Sequence, residues 1–371
     1  MGGLGLKTGD VVEIRALEEI LATLDAAGSI DGLPFMPEMM RYCGQRARVY
    51  KRADKACDTI HYAGSRRMHD AVHLENLRCD GRAHGGCDAW CLMYWKEAWL
   101  KRVEPGETAP HDACRSQAGS EPSKMPPLLE RATWQPDSTT EEHRYRCQVT
   151  ELLRATEPMR WWDPRQYYRD VRSGNVRLRE LFHAAGFRLF RTWLWRGKGY
   201  RISLAAYNRL QRWRGGVPFP HMHGRAQHPP KETLDLRPGE LVQVKSQDEI
   251  LATVNARNRN RGLSFDAEMV PYCGGVFRVA SRVTQIIDEP TGKMVRMKSD
   301  CIILEGVVCT SKYSDKRLFC PRSIPPFWRE TWLRRVDGDV AEGAAGADES
   351  AGEVTDRLDE RSSHERPPHS A

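Results

Sequence analysis

The chain is poor in the features that would mark the commonest function classes. No apolar run approaches the roughly 20 residues that span a bilayer as a helix. The first ten residues, Met-Gly-Gly-Leu-Gly-Leu-Lys-Thr-Gly-Asp, lack a charged stretch followed by an apolar one, so no secretory signal is expected. There is no G-x-S-x-G elbow, no P-loop G-x-x-x-x-G-K-[ST], no G-x-G-x-x-G after a strand and no H-E-x-x-H. No nucleophile–base set can be assembled from what remains. These absences point away from a membrane-spanning protein and from the familiar hydrolases, nucleotide-binding enzymes and zinc proteases. The predicted location is the cytoplasm, where thiols stay reduced.

Cysteine, in contrast, is plentiful. Eleven cysteines among 371 residues, in a reducing compartment, argue for metal ligation or burial rather than disulfides, and the odd count leaves one unpaired in any disulfide scheme. Cys79, His84, Cys87 and Cys91 fall at C-x4-H-x2-C-x3-C within thirteen residues, with Gly81, Gly85 and Gly86 between them. Four soft ligands that close, on a backbone free to fold round, read as a metal site. Cys57 and Cys147 compete with His84 for the fourth position. Zinc is the first expectation, because Cys3His is a common closed tetrahedral set. An iron–sulfur cluster held by Cys57, Cys79, Cys87 and Cys91 is the alternative. Four protein ligands leave no open coordination position, which favours a structural role.

Two segments of the chain repeat. Gly9 to Gly44 aligns without a gap on Gly239 to Gly274, at an offset of 230. The matches include Glu19-Ile20-Leu21-Ala22-Thr23 with Glu249-Ile250-Leu251-Ala252-Thr253, and Tyr42-Cys43-Gly44 with Tyr272-Cys273-Gly274. Three extra residues enter the second copy after Cys79/Cys309, and Trp95 and Trp99-Leu100 then match Trp328 and Trp332-Leu333. In the second copy Cys57 becomes Ile287, His73 becomes Ile303 and Cys91 becomes Ile324. One copy carries a ligand set where the other carries hydrocarbon. A hairpin turning near Gly64-Ser65 is expected to set Cys57 opposite His73. Cys43 and Cys273, in identical contexts, read as packing; Cys309 and Cys320, with Cys301 and Cys273, read as buried thiols, a weaker second site or a relic of the first.

Each copy alternates apolar and polar residues over short stretches, as in Asp10 to Arg15 and Glu240 to Lys245, with short helical turns at Glu18 to Leu24 and Pro37 to Tyr42. The predicted fold is β-rich α+β: two tandem SH3-like small barrels joined by a helical segment. The barrels occupy 7–103 and 237–336. Linkers fill 104–142 and 216–236, a basic helical segment runs over 143–215, and an acidic tail at 337–371 reads as disordered.

The net charge of +7 is unevenly spread. Arg160 to Arg214 holds 14 basic and 3 acidic residues; the tail from Asp337 holds 10 acidic and 3 basic. Trp161, Trp162, Trp193, Trp195 and Trp213 lie within the basic segment. In Val176 to Trp195, helical spacing places Leu178, Leu181, Phe182, Ala185, Leu189 and Trp193 on one face for packing, with Arg188, Arg191 and Arg196 as candidate anion-binding residues. The partner expected from this charge is anionic, a nucleic acid or a membrane surface, with a protein partner as the other option.

Arg78-Cys79-Asp80-Gly81 with His84-Gly85-Gly86-Cys87, Trp95-Lys96-Glu97-Ala98-Trp99-Leu100 and Trp161-Trp162-Asp163-Pro164-Arg165-Gln166-Tyr167 together resemble a group of bacterial proteins with duplicated SH3-like repeats and a Cys/His cluster. The resemblance covers Gly9 to Val336 and implies that architecture without implying an activity. The function expected is a non-catalytic binding or assembly module with a structural metal. The alternative is a metalloenzyme or an iron–sulfur redox protein.

Overall fold

Val11-Val12-Glu13-Ile14 forms strand β1 (Val11–Ile14), in which the alternation buries Val12 and Ile14 completely. The computed structural model describes residues 3–103, 125–134, 143–196, 200–214, 219, 223–314 and 316–336. The described strands that follow are β2 (Ser29–Ile30), β3 (Leu33–Pro34), β4 (Arg46–Arg52), β5 (Lys55–Cys57), β6 (Ser65–Arg67), β7 (Ala71–Arg78), β8 (Leu92–Lys96), β9 (Leu100–Arg102), β10 (Glu157–Pro158), β11 (Leu241–Val244), β12 (Arg259–Asn260), β13 (Leu263–Ser264), β14 (Val276–Ile287), β15 (Met294–Leu304) and β16 (Leu333–Arg335).

Two curled half-barrel sheets dominate. One has the order β8-β7-β4-β1-β9 and the other β15-β14-β11-β16. Their registers correspond: Val11 pairs with Arg48 and Val12 with Arg102, while Leu241 pairs with Arg278 and Val242 with Arg335, all antiparallel. The compact units are Met1–Phe187 with Val283–Asp300 and Val308–Pro326, and Arg188–Arg282 with Cys301–Val307 and Phe327–Ala371.

In the first unit, Trp95 and Trp99 are fully buried, with Phe35 edge-on to both at 6.3 and 5.2 Å. In the second, Trp328 and Trp332 are fully buried, and Phe265 meets Trp332 at 5.6 Å. Truncating any one of these indoles to Ala should cost about 3–5 kcal/mol. Each unit also buries a carboxylate at a corresponding place among its donors. Glu97 accepts from the Gly5 and Leu6 amides (3.0 and 3.1 Å) and pairs with Arg52. Glu330 accepts from the Leu234 and Leu236 amides (2.8 and 3.0 Å) and pairs with Arg282 at 2.8 Å. A carboxylate removed from water needs this many donors.

Two expectations are corrected. Cys57 does not lie opposite His73. The hairpin is β5–β6, in which Cys57 pairs with Ser65, while His73 on β7 pairs with Lys51 and Tyr94. The chain leaves the first sheet after Arg52, so the strand containing Cys57 belongs to a separate three-stranded sheet, β10-β6-β5.

The second correction concerns the helix Leu178–Arg196. Leu178, Phe182 and Leu189 are 58%, 72% and 73% exposed, and Ala185 is exposed as well. Leu181 and Ala184 pack instead, against a small cluster containing Val176, Leu318 and Phe319. The helix has apolar residues on both sides, and spacing alone does not say which side meets the core. Trp193 lies outside the residues whose side chains are described. Among the described residues, no helix is long and apolar enough to cross a membrane.

Candidate metal centre

The Cys79–Cys91 segment folds on itself because its glycines permit it. Gly81 has φ +69°, and its carbonyl accepts from the His84 and Gly86 amides at 3.1 and 2.9 Å. A Cβ on Gly81 would lie 2.2 Å from the Cys87 carbonyl oxygen, and one on Gly85 would strike the Tyr145 ring. Only glycine fits either place. The Cys79 amide then donates to the Cys91 carbonyl at 2.8 Å, which closes the loop.

Outside contacts hold the loop still. The Asp88 carboxylate accepts from the Thr284 and Gln285 amides at 2.8 and 3.1 Å, and Gln285 donates to the Gly85 and Gly86 carbonyls at 2.9 Å each. Arg41 pairs with Asp80 at 2.6 Å.

Cys79, His84, Cys87, Cys91 and Cys147 line one cavity of about 50 Å³. Cys147 reaches it because its neighbour Gln148 is locked onto β8. The Gln148 side chain accepts from the Tyr94 amide at 2.8 Å and donates to the Tyr94 carbonyl at 2.9 Å. Cys79 Sγ lies 3.5 Å from His84 Nε2. Two ligands of one tetrahedral ion, with bonds of about 2.3 Å to sulfur and 2.0–2.1 Å to nitrogen, would stand about 3.5–3.6 Å apart. On its other side the imidazole meets a carboxylate: His84 Nδ1 is 2.8 Å from Glu38 Oε1, though not aligned as a linear hydrogen bond. With the proton assigned to Nδ1, Nε2 presents its lone pair toward Cys79. Glu38 also accepts from the Ala83 amide at 3.0 Å. Glu38, Cys79 and His84 place three ligand-type atoms within 4.8 Å of one another, a group that could hold a metal ion.

The thiols are far from ionised. Burial pushes Cys79 well up, with Glu38 and Cys91 adding to it. Burial likewise raises Cys87 and Cys91, and takes Cys147 to about 11. Such thiols are poor nucleophiles near neutral pH and become thiolates when a cation replaces the proton. The Cys79–His84–Glu38 row thus has the connectivity of a nucleophile–base–orienter set without an activated nucleophile.

Cys57 does not line this cavity. Its amide donates to Cys320 Sγ at 3.1 Å, and Arg322 stands beside it. Cys43 and Cys273 are half-buried against the two cores. Of the candidate anion-binding residues, Arg188 is half-buried, and the side chains of Arg191 and Arg196 lie outside the described residues. Sequence context does not single out Glu38 as a site residue, since it recurs as Glu268 in the copy that has no histidine at the place of His84. The chain matches no family model, no curated protein and no solved structure.

Proposed function

We propose that the protein is a non-catalytic binding module built on a structural zinc centre, with an anionic partner. The observation that carries the metal is the convergence of four thiols and His84 on one small cavity, with Cys79 and His84 already at the separation that a shared tetrahedral ion requires. Cys79, His84, Cys87 and Cys91 are the ligands in this reading, Glu38 orients His84, and Cys147 stands by as an alternative donor. Zinc suits a thiolate-rich set with one imidazole. Replacement of His84 by Cys147 would give an all-thiolate set suited to an iron–sulfur cluster.

The anionic partner is supported by a second surface in the first unit. In the helix Pro164–Arg172, Gln166 and Asp170 are buried, while Arg165, Tyr168 and Arg172 are exposed along one face. Trp162 is 58% exposed with Arg160 stacked 5.3 Å from its ring. Gln166 donates to the Arg160 and Trp161 carbonyls at 3.1 and 2.9 Å, which fixes the turn carrying both tryptophans. Aromatic faces among guanidinium groups suit stacked bases between phosphates.

The test is metal analysis of protein purified without air. One tightly held zinc in a colourless protein, lost in Cys87→Ser and kept in Cys43→Ser, is expected. A brown protein carrying iron overturns the zinc assignment, and metal loss in Cys43→Ser equal to that in Cys87→Ser overturns the ligand set.

A further inference from the structure

A second thiol cluster in the first unit stands apart from the metal cavity. Cys57, at the end of β5, and Cys320 are 6% and 3% exposed. The Cys57 amide donates to Cys320 Sγ at 3.1 Å. The buried Arg322 guanidinium lies over the pair. It donates to the Cys57 carbonyl at 3.1 Å, to Thr59 Oγ1 at 3.0 Å and to Glu289 at 3.3 Å, and stands 3.7 Å from Cys57 Sγ. A thiol touching both a guanidinium and a second thiol has the two parts of a reactive dithiol: a cation to hold the thiolate, and a neighbour to capture what the thiolate becomes. The surroundings agree, because the neighbouring Cys320 thiol and the Arg322 charge outweigh burial and bring Cys57 below the ordinary thiol range. Every thiol of the metal cavity named above moves the other way.

We propose that Cys57 and Cys320 form a peroxide-reactive dithiol, with Cys57 as the attacking sulfur and Cys320 as the resolving one. The Cys57 thiolate attacks one oxygen of hydrogen peroxide. The O–O bond breaks, hydroxide leaves and is protonated to water, and Cys57 becomes a sulfenic acid. Cys320 sulfur then attacks Cys57 sulfur. An S–S bond forms, the S–O bond breaks, and the Cys320 proton leaves with the hydroxide as a second water. Two thiols are oxidised to one disulfide, and one peroxide is reduced to two waters. Hydrogen peroxide is close to water in size. The loop that follows β5 meets solvent at Tyr62, which is 69% exposed.

The test uses the full chain with its metal bound. Reduced protein is exposed to a small excess of hydrogen peroxide, quenched, alkylated under denaturing conditions and mapped by peptide mass spectrometry, with metal content followed alongside. The expected product is a Cys57–Cys320 disulfide formed while the metal is retained. In Cys320→Ser, a sulfenic-acid trap such as dimedone should label Cys57, at least about tenfold faster than it labels Cys43, whose thiol burial pushes up to about 11. In Cys57→Ser, Cys320 should stay unlabelled. The inference is overturned if Cys57 and Cys320 both remain alkylatable under peroxide that oxidises other cysteines, or if Cys57 links to a cavity cysteine instead. The wild-type map requires no variant, so a substitution that fails to fold leaves the test standing.

Discussion

Thr59 donates a hydrogen bond to Glu289, the residue 230 positions further along the chain. That offset is the one separating the duplicated motifs, so equivalent positions touch each other. The contacts on either side exchange in the same way. The Cys57 amide donates to Cys320 Sγ at 3.1 Å, and the Ile287 amide donates to Cys87 Sγ at 3.3 Å. Under the alignment Cys57 corresponds to Ile287, and Cys87, past the three-residue insertion, to Cys320. One of these two corners lines the cavity of Cys79, His84 and Cys91, and the other is the Cys57–Cys320 pair.

Glu289 should therefore matter to stability beyond its own bond. Its carboxylate accepts from Arg322, whose guanidinium is 4% exposed. Removing one partner of a buried ion pair costs about 3–5 kcal/mol, because the remaining charge is stranded. Glu289 is partly exposed, so the lower end applies, and Glu289→Ala should cost about 3 kcal/mol. Thr59→Val removes a single hydrogen bond and should cost about 1 kcal/mol. Urea midpoints of the two variants check the ranking, and equal small losses would remove Arg322 from the argument.

The exposed face of the helix Pro164–Arg172 gives a prediction on binding. Tyr168, 65% exposed between Arg165 and Arg172, should contribute about 1–3 kcal/mol per stacked base to single-stranded nucleic acid. Tyr168→Ala should weaken binding by roughly 5- to 150-fold with little change in salt dependence. Arg165→Glu with Arg172→Glu should instead flatten the slope of log K against log salt by about 0.7 for each phosphate that is no longer neutralised. Anionic vesicles run in parallel separate a lipid surface from a nucleic acid. A triple variant of Arg188, Arg191 and Arg196 to Glu shows whether the long helix contributes. If both sets of variants bind as the wild type does, the basic segment is a solvated surface.

What can be read from the chain alone follows the range of each interaction. Cys79, His84, Cys87 and Cys91 are legible because thirteen consecutive residues hold them all, and the glycines that bend the loop sit between them. Glu38 is not, since it meets His84 across 46 positions and has a counterpart, Glu268, at a place with no histidine. The Cys57–Cys320 pair, 263 positions apart, depends on tertiary packing that no local pattern encodes. The register of His73 escapes a reading by alternation because the chain leaves the first sheet after Arg52, before Cys57, and alternation does not reveal where a strand changes sheets. The stripe of the helix Leu178–Arg196 is visible as a period, but burial chose the side bearing Leu181 and Ala184.

His73 supplies a pH dependence whose sign can be worked out. It is fully buried on β7, with Nδ1 3.0 Å from the Met93 carbonyl, and its ring lies 4.4 Å from that of Tyr94. Its Nε2 has no hydrogen-bond partner among the described residues. Burial, reinforced by the charges of Arg322, Lys51 and Arg78, lowers it from 6.5 to about 3 despite the Met93 bond. The unfolded chain therefore takes up a proton that the fold refuses. The stability this residue contributes is complete above pH 6.5 and is lost as pH falls from there toward 3. At 1.36 kcal/mol per pKa unit, the loss by pH 4 is about 3 kcal/mol. His73→Ile imitates Ile303, which is fully buried at the corresponding place in the second copy. Near pH 7 the variant should be about 1 kcal/mol less stable than the wild type, because the Met93 carbonyl loses its donor. Near pH 4 the order should reverse, since the variant has no imidazole to protonate on unfolding. Urea midpoints measured across this range decide it. Parallel curves would mean that His73 is already charged in the fold or is reached by water.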